Sequence, residues 1–348
     1  MHNEINILFV GPDSLTQGGT TISFAHLLRS IKIKPFININ VVNSSDIRGS
    51  GLFAPLKLIK LITKIFAAAR NNDVLSFHAM PTALPYIGWL FPLVCKFYSK
   101  PLIFRSFGGM YYDELPYFSR TVARYFIRSA NVTLLQTKEL MEKGSFDNLK
   151  RLEWFPTARP MPIISQIHRE TCRKFVFIGH LKKTKGLQFL ARAAERLPAD
   201  ASVDVYGPWY DLPKKTFDGC KKIRYVRLLK ADEVVDTLRE YDALVFPSFM
   251  AEEGHSGIIL EAYAAGIPVI ATRWKALPEI VEDGKSGLLI EPQSDSAILQ
   301  AMMRLYQDSD FYCNLVAGIQ HFREQFSQER QTDHFLSICR ELVGDKQQ

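Results

Sequence analysis

At 348 residues the chain is too long for one ordinary hydrophobic core, which implies two α/β domains or a single large one. Its 47% hydrophobic and 23% charged residues, with 20 Gly and 18 Pro, exclude disordered, collagen-like and low-complexity classes. The net charge of +7 is uneven: residues 1–150 hold 17 Lys and Arg against 9 Asp and Glu, whereas residues 151–348 hold 26 against 27. The five cysteines stand singly, with no Cys-x-x-Cys and no nearby His pair, so neither a disulfide framework nor a zinc site is expected. A reducing cytoplasm is the matching compartment. No secretory leader is visible at Met1–Glu4, and no run of 18 uninterrupted apolar residues offers a membrane span.

In chain order, Ile5–Val10 reads as a strand ending in Gly11-Pro12. A polar loop with Gly18-Gly19 follows, then a helix with Ile22, Phe24, Leu27, Leu28 and Ile31 on one side, then a strand over 37–42. Strand, glycine loop, helix, strand is the start of a doubly wound unit. Later strands are predicted at 74–77, 102–104 and 132–135. The Pro-rich stretch Phe155–Pro162 reads as a linker. A second series then begins with a strand over 174–178, Gly179 and a helix over 187–197, and continues with strands at 202–206, 223–226, 243–246 and 268–271. The last stretch, 327–343, reads as a helix with a polar tail and no strand of its own. Two such open sheets facing each other would leave a central cleft at the carboxyl ends of their strands.

The chemistry concentrates in one run. Pro247-Ser248 ends a strand, Glu253 and Glu261 stand eight apart, and Glu261-Ala262-Tyr263-Ala264-Ala265-Gly266-Ile267-Pro268-Val269 follows. Leu277-Pro278-Glu279-Ile280-Val281-Glu282-Asp283-Gly284 continues the pattern. In order and spacing this resembles the donor site of retaining nucleotide-sugar glycosyltransferases of family 4, also called group 1, which have the GT-B fold. The resemblance implies two Rossmann-like domains, residues 1–158 on the acceptor side and 159–326 for the donor, with the helix from about 327 packing back on the first. Small residues Ser256 and Gly257 at a helix start offer backbone N–H groups to a phosphate. Glu253 is expected on sugar hydroxyls and Glu261 on a ribose diol, with His255 beside them. A solvated acidic helix start is the plain alternative.

Family members carry an Arg and a Lys after a strand, in Gly-Arg-Leu…Glu-Lys-Gly. Here Gly179 and Lys185 match, but His180 replaces the Arg. That is no conservative change, since Arg is always charged and bidentate whereas His is neutral or partly charged near neutral pH. Lys182 or Lys183 could substitute in part, and a solvated turn is the alternative. Gly18 and Gly19 resemble the family's N-domain glycine loop near the donor phosphates. They fall short of a dinucleotide fingerprint, and Asn43 rather than an acidic residue ends the second strand, which argues against NAD. Many relatives have His-Gly where this chain has Phe107-Gly108, so Phe107 receives no catalytic role. His78, Gly108 and Gly109 are the acceptor-side candidates. A His at a strand end is more often structural.

No metal and no cofactor are expected, the nucleotide-sugar being a substrate. Asp308-Ser309-Asp310 spells a metal-binding Asp-x-Asp but lies in a helical region, and reads as chance. The basic half points to an anionic membrane surface. Lys57, Lys60 and Lys64 recur at helical spacing beside Leu56, Ile59 and Phe66, as do Arg120, Arg124 and Arg128 beside Phe118, Tyr125 and Phe126. Two solvated helix faces are the alternative, and no nucleic-acid motif appears. The expected protein is a metal-independent retaining transferase with Glu253 and Lys185 in catalytic roles. It would carry a sugar to a saccharide or lipid-linked saccharide in cell-surface polysaccharide or lipopolysaccharide synthesis, peripherally at the cytoplasmic membrane face. A nucleotide-sugar epimerase and a non-catalytic nucleotide-sugar-binding protein are its rivals.

Overall fold

A computed structural model describes residues 4–12, 18–45, 54–144, 146, 148–163 and 171–344. The loop residues 13–17, the N-terminal residues 1–3 and the polar tail 345–348 lie outside the described residues. The chain divides into two units, one of residues 1–158 with 328–348 and one of residues 159–327.

The first unit holds a six-stranded parallel sheet in the order β2-β1-β3-β4-β5-β6. Its strands are β1 (Ile5–Gly11), β2 (Ile37–Asn43), β3 (Val74–Ala79), β4 (Leu102–Ser106), β5 (Val132–Leu135) and β6 (Leu152–Trp154). The second holds another, β12-β11-β10-β7-β8-β9. These strands are β7 (Lys174–Ile178), β8 (Ser202–Tyr206), β9 (Ile223–Arg227), β10 (Ala243–Phe246), β11 (Val269–Thr272) and β12 (Gly287–Ile290). Central strands of a parallel sheet are covered on both faces, so they read as continuous apolar runs, and β3, β4, β5, β10 and β11 are buried along their whole length. This is the doubly wound pair of the GT-B fold.

Helices α1 (Gly19–Lys32), α2 (Ala54–Ala69), α3 (Leu90–Tyr98), α4 (Tyr117–Ser129) and α5 (Lys138–Lys143) belong to the first unit. The second carries α6 (Leu187–Ala194), α7 (Val234–Leu238), α8 (Gly257–Ala265), α9 (Leu277–Ile280), α10 (Asp295–Gln307) and α11 (Ser309–Phe322), after which α12 (Gln328–Gly344) returns to the first unit. Strand side chains alternate between faces. Leu8 and Val10 accordingly pack under α2, α3 and α4, while Ile5, Ile7 and Phe9 pack under α1 and α12. The α12 helix is held by Phe335 against Phe9 at 5.5 Å, and by the ion pairs Lys34–Asp333 and Arg151–Glu341 at 2.6 and 2.7 Å.

Three differences from the sequence reading have physical reasons. Strands β6 and β12 escaped notice because one is three half-buried residues and the other opens on a glycine, so neither has a long apolar run. The helix after Gly186 stops at Ala194 rather than Leu197. The Pro-rich stretch is not an exposed linker. Residues 155–159 are buried, with Phe155 under the Arg105 guanidinium (4.6 Å) in the first unit and Arg159 on Glu261 in the second.

Candidate functional site

In the second unit β7 comes first in sequence, yet its neighbours β8 and β10 lie on opposite sides of it. The carboxyl ends of β7 and β10 therefore frame the topological switch point, where open α/β sheets bind ligands. The loops leaving these two strands carry the motif residues.

After β7 come Gly179, His180 and a single 3₁₀ turn, Lys183–Lys185, closed by Gly186. Gly186 has φ +77°, and a Cβ there would lie 2.1 Å from the Pro247 carbonyl oxygen, so only glycine lets this turn rest against the loop after β10. The Phe249 N–H donates to the Thr184 carbonyl at 2.8 Å and straps the two loops together. Lys185 is thereby aimed inward. Its Nζ donates to Glu253 Oε2 at 2.6 Å and lies 4.7 Å over the Phe246 ring. The Ser248 hydroxyl donates to the same carboxylate oxygen. Lys185, Ser248 and Glu253 are all buried, so the three form one enclosed charge network.

Glu261 lies in α8, half-buried, and accepts from Arg159 Nε at 2.6 Å. The guanidinium also lies over the helix start: a Cβ on Gly257 would come within 1.9 Å of Arg159 Nη2. Ser256 is the N-cap of α8, and its side chain makes no capping bond; the Ile259 N–H turns back to the Ser256 carbonyl at 3.3 Å, which leaves the Gly257 and Ile258 N–H groups as the first-turn donors. His255 faces the other way. Its side chain is fully enclosed, with Nε2 and Glu279 Oε2 at 2.9 Å and the Phe326 ring edge-on at 6.2 Å.

His180 is exposed, its ring parallel to Tyr210 at 6.4 Å, and the Lys182 ammonium lies 4.4 Å over Tyr210. Partial burial, and then the positive charges of Lys182 and Lys185, push its pKa below the ordinary histidine value. The shift favours the neutral imidazole, where an Arg would stay charged.

The first unit has its own switch point, between β1 and β3. Gly18 is the N-cap of α1 and accepts from the Thr21 hydroxyl at 2.8 Å, while Gly19 is exposed. Gly108 takes φ +86° and donates its N–H to Gln136 Oε1 at 2.6 Å, with Gly109 half-buried beside it. His78 lies in the core. Its ring has no exposed surface, is surrounded by Phe9, Phe24, Phe107 and Phe335 at 4.8–6.2 Å, and bonds Ser76 Oγ at 2.8 Å. Burial, and then Arg105, hold its pKa well below the usual value.

Within the second unit, then, Gly179, Lys185 and Glu253 converge at one switch point, and Ser256, Gly257 and Glu261 share the start of α8. Arg159 and Ser248 were missed. Arg159 is 102 residues from Glu261 and sits among prolines, with no local signal; Ser248 was visible as part of Pro-Ser. Asp308 caps α11 by accepting the Phe311 N–H at 2.9 Å, which accounts for the first carboxylate of the Asp-x-Asp. Among the described residues, no group of three or more His, Cys, Asp or Glu could hold a metal ion.

Comparison with known proteins bears on this unit first. Residues 172–308 match the profile of the family Glycosyl transferases group 1. Within the second unit, this stretch is similar to a group 1 glycosyltransferase domain. The chain is 31% identical over 182 residues to a D-inositol 3-phosphate glycosyltransferase of Corynebacterium urealyticum, covering 48% of this chain and 42% of that protein. It is 28% identical over 168 residues to the putative colanic acid biosynthesis glycosyltransferase WcaL of Salmonella typhimurium, covering 45% and 41%. The matches thus span about two fifths of these relatives' length. The fold extends over the whole chain: HepE of Anabaena in complex with UDP superposes with a TM-score of 0.75 at 12% identity, over 97% of this chain and 100% of that one. Sucrose-phosphate synthase of Thermosynechococcus elongatus gives 0.75 at 13%, over 98% and 100%.

Proposed function

We propose that the protein transfers a sugar from a nucleotide-sugar to a saccharide or lipid-linked saccharide, with retention of configuration and without a metal ion. The observation that carries this reading is the buried Lys185–Glu253–Ser248 network at the switch point of a group 1 glycosyltransferase domain. A diphosphate arriving there attracts Lys185 away from Glu253. The ammonium then stabilises charge growing on the departing diphosphate, and the released Glu253 carboxylate accepts hydrogen bonds from sugar hydroxyls. Such preorganised charge in an enclosed site is usually the largest contribution to catalysis. The N–H groups at the start of α8 add a second set of phosphate donors. Arg159 holds Glu261 extended for a ribose diol, and His255 positions Glu279 from below. Gly179 and His180 complete the donor side.

HepE, which shares the fold, is described in complex with UDP and with UDP-glucose, and this favours a nucleotide-sugar as the donor. The first unit receives the acceptor in this reading. Gly18, Gly19, Gly108 and Gly109 supply close backbone approach, whereas His78, enclosed among aromatic rings, is a core residue and has no part in acceptor binding. Similarity to WcaL favours cell-surface polysaccharide synthesis at the cytoplasmic face of a membrane. Among the described residues no helix is long and apolar enough to cross one. In this reading the basic first unit adsorbs to the surface. A second reading, donor binding without transfer, is favoured by His180, whose pKa is lowered, standing where relatives have an Arg. Incubation with a panel of nucleotide-sugars, with release of nucleoside diphosphate in the presence and absence of saccharide acceptors, separates the two. Stabilisation by a donor with no turnover under any acceptor would support the second.

A further inference from the structure

The outer surface of the first unit carries a feature that basic periodicity alone does not describe. Helices α2, α3 and α4 cover the same face of the sheet, with α3 contacting both of the others. A π-helical turn, Leu84–Gly88, leads into α3. Along this turn and α3, Tyr86, Trp89, Leu93 and Phe97 recur at intervals of three, four and four residues, which puts them on one side of the helix. That side faces solvent: the four are 72%, 40%, 50% and 74% exposed, while Leu84, Ile87, Phe91 and Val94 fill the core. Apart from Lys96, the helix is therefore apolar on its outer as well as its inner side, although only the inner side is packed.

The flanks add to this patch. On α2, Leu56 and Ile59 are exposed among Lys57, Lys60 and Lys64; on α4, Phe118 and Tyr125 are exposed near Arg128. The three helices together hold seven basic residues and no Asp or Glu. Arg124 is ion-paired with Asp113 at 2.7 Å, and Arg120 is half-buried, so α2 rather than α4 supplies most of the exposed positive charge.

We propose that this face docks on an anionic lipid bilayer and that the Tyr86–Trp89–Leu93–Phe97 stripe enters the boundary between headgroups and acyl chains. The proposal rests on the reading that the first unit meets an anionic surface, and deepens it: the lysines of α2 adsorb the unit, and α3 then lies in the interface. Tyr and Trp suit that depth because the ring is apolar and its polar end can stay wet. The Trp89 indole N–H already donates to the Tyr86 carbonyl at 3.1 Å, so it enters without stranding a donor. A second copy of the chain is a poor occupant, because self-pairing through this face opposes the lysines of α2 and Lys96 to their own copies, while Asp113 is already held by Arg124.

The test uses the full chain with vesicles of phosphatidylcholine alone or mixed with phosphatidylglycerol, at low and high salt. Tryptophan emission and quenching by lipids brominated near the headgroup report insertion. The expected result is binding to the anionic vesicles, with a blue-shifted, quenchable emission that Trp89→Phe removes. Leu93→Ser combined with Phe97→Ser, both surface positions, should weaken binding by about tenfold or more and abolish what survives at high salt. Binding that vanishes with salt and leaves Trp89 emission unchanged overturns insertion while sparing electrostatic adsorption. No binding to either vesicle overturns both. Concentration-dependent self-association that buries Trp89 without lipid overturns the proposal in favour of a second copy. Thermal stabilisation by nucleotide-sugars, measured on the same variants, reports separately on the donor site.

Discussion

Replacing Gly257 with alanine isolates the link between Arg159 and the start of α8. On helix propensity alone the change would stabilise α8 by about 0.5–1 kcal/mol. The structure predicts the opposite sign. An added Cβ would stand 1.9 Å from Arg159 Nη2, whereas real Cβ contacts do not fall below 3.0 Å, so the guanidinium must retreat by about 1 Å or the helix must shift. A retreat of that size takes the 2.6 Å bond to Glu261 beyond hydrogen-bonding range. Arg159 is 3% exposed and Glu261 15%, and breaking a buried pair costs about 3–5 kcal/mol when both charges stay enclosed. Part of that loss is recovered because Glu261 can turn toward water. Net of the propensity gain, Gly257→Ala should destabilise the second unit by about 2–4 kcal/mol, or roughly 30–700-fold in the opening equilibrium. Hydrogen exchange of the α8 amides reads this directly. Arg159→Met provides the control, since on that background the alanine should cost little or even stabilise. A single Gly257→Ala variant with protection equal to or above that of the parent would refute the reasoning.

The remaining expectations concern charge. Lys185→Met and Glu253→Gln should each destabilise the second unit by about 3–5 kcal/mol, because each leaves a partner enclosed, while the double variant should cost less than either; additive losses in urea unfolding would deny the coupling. Glu253→Gln therefore does not leave stability untouched, and its effect on transfer has to be measured where the variant is still folded. His180→Arg should tighten donor binding most at high pH, where the native imidazole is neutral, and flatten the pH dependence of affinity; titration calorimetry giving the same constants at pH 6 and about pH 8 for both proteins would remove the role. His78, held well below the ordinary histidine value of about 6.5 by burial and by Arg105, binds fewer protons folded than unfolded. Its contribution is complete above that value and is lost as pH falls below it, so His78→Gln should reduce the acid-side slope of stability; an unchanged slope would contradict the assignment.

The local geometry of the candidate site was legible because its signal is local. Glu253, Ser256, Gly257 and Glu261 lie within one strand–loop–helix segment, and that spacing carries most of the geometry. Lys185 was legible as the match to the family's Lys after a strand, but its partner was not. Its ion pair with Glu253 joins loops 68 residues apart, and it depends on Gly186 lying against the Pro247 carbonyl. Arg159 carried no signal, since its position depends on a parallel bridge to Ser327 and on its N–H reaching the Phe326 carbonyl, both long-range facts. His78 could not be sorted from sequence, because a strand end can place an imidazole in solvent or in the core. The aromatic cluster around it decides for the core. The α3 stripe was hidden for a different reason. Periodicity reports that Tyr86, Trp89, Leu93 and Phe97 share a side, and only packing reports that the side is outward.

The most direct test of the account is donor binding to the Lys185 site. Thermal unfolding of the native chain is measured with a panel of nucleoside diphosphate sugars, with Lys185→Met and the Lys185→Met, Glu253→Gln double variant as controls. The account predicts that at least one nucleotide-sugar raises the native melting temperature in a concentration-dependent way, as binding to the folded state must. It also predicts that the double variant, although folded, loses that response. Equal stabilisation of the native and double-variant proteins would place the donor elsewhere and contradict the central claim.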